Sequence, residues 1–262
     1  SNISFTEIRT RSGFIERQSE NYLRKKFLKA LYRSVYLNNV QMLDEFSIFL
    51  QNEQPRLNLS IATHRWICLA LGLGDINVSL WGSKVHALFS MPDVLNEWRS
   101  LVDILKSRAK IRSEFCVGGQ SLFISANYSR QDVMSIFDLR EKSGKIKNIR
   151  EGVYFYKAES LDLFFVTLRK TSDHFSTSTM YEDYPISTGL FHWQSQSGTH
   201  DQTPVGRRYT NIHERSLHKA ILFVREGKRD AQGRTQVFQC LGPCTYVRHE
   251  GNRPMSITWK LK

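Results

Sequence analysis

The 262 residues are enough for one large domain or two ordinary ones, and 40% hydrophobic with 24% charged residues is the balance of a folded globular chain, not a disordered one. Lysine and arginine outnumber aspartate and glutamate by 37 to 25, a formal charge of +12, spread as 16 basic against 10 acidic residues in 1–112 and 21 against 15 in 113–262. No apolar run approaches the roughly 18 to 20 residues of a membrane-spanning helix, so no membrane partner is expected; the distributed positive field suits either a surface that meets a polyanion, nucleic acid being the commonest, or charge kept for solubility.

Residues 1–6 lack a charged region followed by an apolar stretch, so no secretory signal is expected, and the absent initiator Met fits a piece of a longer chain. Residues 22–37 (YLRKKFLKALYRSVYL) place Leu23, Phe27, Leu31 and Val35 on one stripe, with Arg24, Lys25, Lys29 and Arg33 elsewhere around the helix. Asn38-Asn39 breaks that helix, 40–50 resumes at helical spacing, and Pro55 ends the pair. A further helix is expected over 63–71 around Trp66, closed by Gly72 and Gly74. Pro92 sits where a first helical turn takes it, ahead of 93–108 with Val94, Trp98, Leu101 and Leu105 inward. Residues 1–112 therefore read as a bundle of four or five helices, with a boundary near 110–120.

The period then changes. Short β-type runs occupy 161–168, 220–225, 237–241, 245–248 and 256–261, the last alternating Ile257, Trp259 and Leu261 against Ser256, Thr258 and Lys260. Gly242-Pro243 and Gly251-Asn252 supply turns between runs, and Ser129 is a candidate N-cap for a helix over 130–137. Residues 113–262 are thus expected to form a mainly antiparallel, β-rich, barrel-like domain, which makes the whole an α+β chain.

Chemistry is easier to exclude than to assign. The sequence has no G-x-x-x-x-G-K-[ST] phosphate loop, no H-x-K-x-x-x-x-D nuclease segment of the phospholipase D type and no H-E-x-x-H zinc helix. No catalytic residue and no cofactor are therefore expected. Cys240-x-x-x-Cys244 with His249, and His213 or His218, could supply zinc ligands, but the spacing is wrong for a zinc knuckle, so no metal is expected. The four cysteines, Cys68, Cys116, Cys240 and Cys244, read as reduced thiols of a cytoplasmic protein.

The most informative segment is 181–199 (YEDYPISTGLFHWQSQSGT). It packs Tyr181, Tyr184, Phe191 and Trp193 among Asp183, His192, Gln194 and Gln196, as a pocket for a planar, polar ligand requires: rings stack, and amides and a carboxylate read the edge. An extruded nucleobase is such a ligand, with Trp193, Tyr184 or Phe191 as the stacking wall and Asp183, Gln194 and Gln196 as edge readers. The competing reading is a strand whose aromatics are core and whose polar residues face solvent. Arg207, Arg208, Arg225, Lys228 and Arg229 are candidate phosphate contacts. Glu226-Gly227-Lys228, with Asp183 or Asp201 upstream, imitates the D…(E)-x-K arrangement of Mg-dependent nucleases and supplies the alternative function.

The segments 190–197 (LFHWQSQS), Tyr181-Glu182-Asp183-Tyr184, 222–226 (LFVRE) and 251–259 (GNRPMSITW) resemble a bacterial accessory domain found C-terminal to superfamily 2 helicase cores, often with an N-terminal phospholipase D nuclease. Asn127-Tyr128-Ser129-Arg130 and Arg150-Glu151-Gly152-Val153 resemble further parts of its pattern. The resemblance covers about 115–262, and the helical half matches loosely as the region joining helicase to accessory domain. Enzymes of this architecture include type IV, modification-dependent restriction systems acting on 5-methylcytosine DNA. The resemblance implies a target-recognition domain that binds modified double-stranded DNA without catalysis, with the helicase and nuclease domains of a longer parent chain as partners. A non-DNA docking module for a helicase is a third reading.

Overall fold

A computed structural model describes residues 22–51, 61–71, 78–169 and 183–262. The chain divides into two compact units, Ser1–Arg112 with Gln131–Asn148, and Ser113–Arg130 with Ile149–Lys262. The segment after Arg130, placed by sequence with the β-rich half, thus belongs to the helical unit. Pro55, Gly72 and Gly74, expected to bound helices, lie outside the described residues, as do residues 1–6.

The helical unit contains α1 (Tyr22–Ser34), α2 (Val40–Gln51), α3 (Ile61–Ala70), α4 (Val78–Phe89) and α5 (Pro92–Arg108), and nearly all of α6 (Arg130–Ile136), which begins directly after Ser129. Helical spacing brings Phe27, Phe46, Phe49, Trp66 and Trp98 out of water. Phe46 meets Trp66 and Trp98 edge-on at centroid distances of 5.2 and 5.4 Å. Burial of each such ring contributes roughly 1.5–3 kcal/mol. Arg99 on α5 donates from Nε and Nη2 to the Leu50 carbonyl at 3.1 and 2.9 Å, so a carbonyl at the end of α2 finds a charged partner. Val35 is exposed because α1 ends at Ser34, which leaves Phe27, Ala30 and Leu31 as the buried apolar stripe.

The second unit opens on a hairpin of β1 (Glu114–Val117) and β2 (Gln120–Phe123), turned by Gly118 and Gly119, both at positive φ. The large sheet follows: β3 (Asn127–Tyr128), β4 (Val153–Tyr156), β5 (Leu161–Thr167), β6 (Tyr184–Pro185), β7 (Leu190–Gln194), β8 (Lys219–Arg225), β9 (Phe238–Glu250) and β10 (Ser256–Leu261), with α7 (Pro204–Thr210) between β7 and β8. Strand order is β4-β5-β8-β9-β10-β7-β6, with β3 beside β9. Among the described strands of this sheet, β5 and β8 are the pair that runs parallel. Among the described residues β4 and β6 end the path without pairing to each other, so this is an open mixed sheet and not a closed barrel.

The expected hairpin turn at Gly242-Pro243 is absent. Strand β9 runs through it for 13 residues. Gly242 instead sits at φ 96° in a bulge, where the register jumps from Phe223↔Cys240 to Leu222↔Gly242. Turn and bulge ask the same of the residue, a positive φ that glycine adopts at no steric cost. The bulge lets β9 pair with β3 and β8 in its first part and β10 in its second.

Both faces of the central strands are covered. On one, Phe164, Val166, Leu222, Val224, Ile257 and Trp259 pack with Tyr209 of α7. On the other, Phe165 stacks on Phe223 at 5.2 Å, with Tyr128 and Phe238 edge-on. Every residue of β5, and every residue of β8 except Lys219, is buried, as a parallel pair demands. Helix α7 is started by Thr203, whose hydroxyl accepts from Gly206 N at 3.0 Å. A Cβ at Gly206 would lie 1.9 Å from the His200 carbonyl oxygen, so only glycine lets this turn close. Among the described residues no helix is long and apolar enough to cross a membrane.

Candidate nucleic-acid interface

Strand β7 divides its side chains by alternation. Phe191 and Trp193 point into the core, while Leu190, His192 and Gln194 are half-buried on the opposite face. Trp193 meets Phe164 edge-on at 4.9 Å and Tyr209 at 5.4 Å. The space a base would need beside Phe191 and Trp193 is therefore filled by other rings, and these two are core and not a stacking wall.

The outer face keeps the other half of the expected group together. Tyr184 on β6 is 48% exposed and stacks on His192, centroids 4.5 Å apart and planes within 14°. The register sets His192 opposite Tyr184 on one side and Thr258 on the other, and sets Thr258 opposite Arg248. Residues opposite one another across strands project to the same face. Tyr184, His192, Thr258 and Arg248 thus form one row across β6, β7, β10 and β9. The next row holds Gln194, Ser256 and Glu250. In it Gln194 Nε2 donates to Ser256 Oγ at 3.4 Å.

Asp183 is buried and accepts a hydrogen bond from Gln194 N at 3.0 Å, which ties the edge of the sheet down. Gln196 is exposed, and its Oε1 accepts from Thr199 Oγ1 at 3.4 Å and Tyr209 Oη at 3.5 Å. Tyr181 lies outside the described residues.

The five candidate phosphate contacts also separate. Arg207, Lys228 and Arg229 are exposed. Arg208 is turned inward: Nε and Nη2 grip the two carboxylate oxygens of Asp162 at 2.8 and 3.0 Å. Arg225 is buried against Phe238, donating to Thr167 Oγ1 and the Gln236 carbonyl at 2.9 and 3.1 Å. The reason for the first is Asp162 itself, a fully buried carboxylate in the apolar strand β5 that needs a cation.

His218 completes that cluster, with Nε2 at 3.3 Å from Asp162 Oδ2 and its ring stacked on Phe155 at 5.3 Å. Arg208 lies over the same Phe155 ring at 4.1 Å. Burial pushes the Asp162 carboxyl above its ordinary value, opposed by Arg208 and His218. Burial likewise pulls the His218 imidazole down, opposed by Asp162. The sequence signal that would have found this cluster is the lone acid inside LDLFFVTL.

The zinc and nuclease groupings do not assemble. Cys240 pairs with Phe223 on one face of the sheet while Cys244 joins the core of the other, so the two thiols point apart. Burial pushes the Cys240 thiol up to about 12, and Cys244 is raised further. His249 Nδ1 shares a hydrogen bond with Tyr246 Oη at 2.8 Å. Glu226 pairs with Arg169 at 2.7 Å, and β9 and β10 lie between β8, which leads into Glu226, and the strands flanking Asp183. No group of three or more His, Cys, Asp or Glu among the described residues is arranged to hold a metal ion.

A family model described as a domain of unknown function, DUF3427, matches residues 122–262. The match takes in every strand of the large sheet, and with them the Tyr184–Arg248 row. No curated protein matches the chain.

Proposed function

The chain belongs to the DUF3427 family, and from that premise we propose that its β-rich unit reads double-stranded DNA carrying a modified base, 5-methylcytosine foremost, as the target-recognition part of an ATP-dependent type IV restriction enzyme. The observation that carries the reading is the row of Tyr184, His192, Thr258 and Arg248 on one face of the sheet. A stacked, half-open Tyr184–His192 pair is a platform for an exposed base, and such stacking contributes about 1–3 kcal/mol per base. Gln194 and Ser256 beside it offer amide and hydroxyl groups to a base edge, and the exposed Arg248, Lys260, Arg207, Lys228 and Arg229 supply cations for phosphates. Stacking and edge reading fall to residues on the open face, and Phe191 and Trp193 only hold the strand that presents them.

The test is fluorescence anisotropy with matched duplexes, with and without 5-methylcytosine, at moderate salt and in EDTA. The expected result is tighter binding of the methylated duplex, with the preference lost in Tyr184→Ala. Equal affinities would overturn the modification reading, and absence of binding would overturn the DNA reading altogether. That last result would favour a protein-docking module, for which the exposed apolar side chains of Ile186 and Val247 are the supporting observation.

A further inference from the structure

Two arginines on the face of the sheet that carries Phe165 and Phe223 form no ion pair with any described carboxylate. The register sets Thr167 opposite Arg225, one residue pair beyond the stacked rings of Phe165 and Phe223 once alternation is allowed for. The Arg225 guanidinium lies 4.4 Å from the centroid of Phe238. Arg130 lies against the same ring at 5.1 Å and against Phe165 at 5.5 Å. Arg225 uses Nε on Thr167 and Nη1 on the Gln236 carbonyl, which leaves Nη2 without a partner among the described residues. Arg130 donates no hydrogen bond to any described residue, and its Nε is buried without a partner.

That arrangement is costly as it stands. Burial pulls both guanidinium groups below their ordinary values, and the charge of Arg130 adds to the effect on Arg225. The acid that acts on Arg130 is Glu151, a surface carboxylate that accepts a hydrogen bond from Arg150 N at 3.0 Å and forms no ion pair with Arg130. Two like charges held against aromatic rings, one with an unsatisfied buried donor, call for an anion between them. The planar N–H forks of arginine match the oxygens of a phosphate group in spacing and direction, and aromatic walls strengthen the attraction by excluding water.

We infer that Arg130 and Arg225 form a binding site for a phosphate oxyanion, with Arg130 offering its terminal guanidinium nitrogens and Arg225 its remaining one. The phosphate is carried either by a nucleic-acid backbone or by a phosphorylated small molecule. The site stands independently of the modified-base reading, because its chemistry asks only for the oxyanion.

Thermal melting of the full chain in inorganic phosphate, against chloride at equal ionic strength, tests it. The wild-type Tm should rise saturably with phosphate, since a ligand that binds only the native state stabilises it. Arg130→Gln, which gives up no hydrogen bond to the protein, should fold and weaken phosphate at least tenfold. Arg130→Lys keeps the charge without the fork and should fall between, while Arg207→Gln should match wild type. No phosphate-specific rise in wild type, or an undiminished rise in Arg130→Gln, would overturn the site. Competition then identifies the source: displacement of a labelled duplex by phosphate assigns the site to the nucleic-acid backbone, and saturable phosphate binding without displacement assigns it to a phosphorylated small molecule. Should no duplex bind while the Arg130-dependent rise persists, the DNA reading falls and the oxyanion site remains.

Discussion

The two faces of the large sheet each bury arginine, and they treat it in opposite ways. On one face Arg208 meets Asp162 in a two-pronged pair, with His218 against the same carboxylate and Phe155 against both the guanidinium and the imidazole. On the other, Arg225 and Arg130 share the Phe238 ring, and neither forms an ion pair with a described carboxylate, Glu151 acting on Arg130 only from a distance. In the first arrangement the arginine finds its carboxylate within the protein; in the second it finds an anion only with a ligand. Buried charge is therefore informative only after its partner has been sought: a paired arginine speaks of structure, an unpaired one of something to be bound.

The largest expected effect is on the completed side. Arg208→Ala leaves Asp162 as an uncompensated buried charge and should cost about 3–5 kcal/mol in urea unfolding. Arg130→Gln removes no hydrogen bond and relieves a like-charge contact, so it should stay within about 1 kcal/mol of wild type in phosphate-free buffer. Equal losses in the two variants would break the contrast and make Arg130 a structural residue.

Next in size is the division within β7. Trp193→Ala empties a core position between Phe164 and Tyr209 and should cost about 3–5 kcal/mol. Tyr184→Ala, on the edge strand beside β7 and on the face away from that packing, half exposed, should change stability by at most about 0.5 kcal/mol while abolishing methyl preference. A folded Trp193→Ala with intact methyl preference fits this division; loss of preference in that variant at full stability would return Trp193 to the base site.

How far the sequence carried this fold follows from what periodicity can encode. The 3.6-residue spacing in 1–112 and the strict alternation of 256–261 specify helices and a strand because each presents one apolar face to a core. Alternation in LFHWQ specifies two faces as well, but both carry rings, and only neighbours remote in sequence settle which rings are core. Gly242-Pro243 has the chemistry of a turn and is used as a bulge, since positive φ serves both. The inward turn of Arg208 depends on an acid 46 residues away, and that of Arg225 on a threonine 58 residues away. The parallel β5–β8 pair likewise joins segments separated by the whole of 168–218, and short-range pattern holds no record of such pairing. The buried acid of LDLFFVTL was the one local signal that a long-range cation was needed.

A smaller effect separates the faces by pH. The His218 pKa is lowered by burial, so the folded state binds fewer protons than the unfolded state below about 6.5. Its contribution to stability is therefore present above that value and is lost as pH falls through the depressed folded pKa. Asp162 acts in the opposite sense, because a raised carboxyl pKa makes the folded state hold its proton more tightly and favours the fold as pH falls. Replacing His218 by Gln isolates the first contribution: the wild-type Tm should drop more steeply than that of His218→Gln between pH 7 and 5. Parallel curves would show that His218 is as easily protonated folded as unfolded.

The smallest perturbation, thiol labelling, asks whether the second face is sealed where the two arginines lie. Cys116 is exposed on β1, Cys68 is buried in the helical unit, and Cys240 and Cys244 are buried on opposite faces of the same strand. Burial holds the Cys240 thiol at about 12, so thiolate is scarce at pH 8 even when reagent reaches it. In native buffer one equivalent of a disulfide reagent should react quickly, and Cys116→Ser should abolish that phase; the other three should wait for unfolding. Cys240 is the informative one of these, because it lies on the face of Phe223, Phe238 and Arg225. If it labels in native protein at a rate that Cys244 does not share, the second face opens locally, and phosphate should slow that labelling as it fills the site between the arginines. If Cys240 and Cys244 react together only on global unfolding, the rings on both faces are equally closed, and phosphate should slow both thiols alike, to the extent that it stabilises the native state.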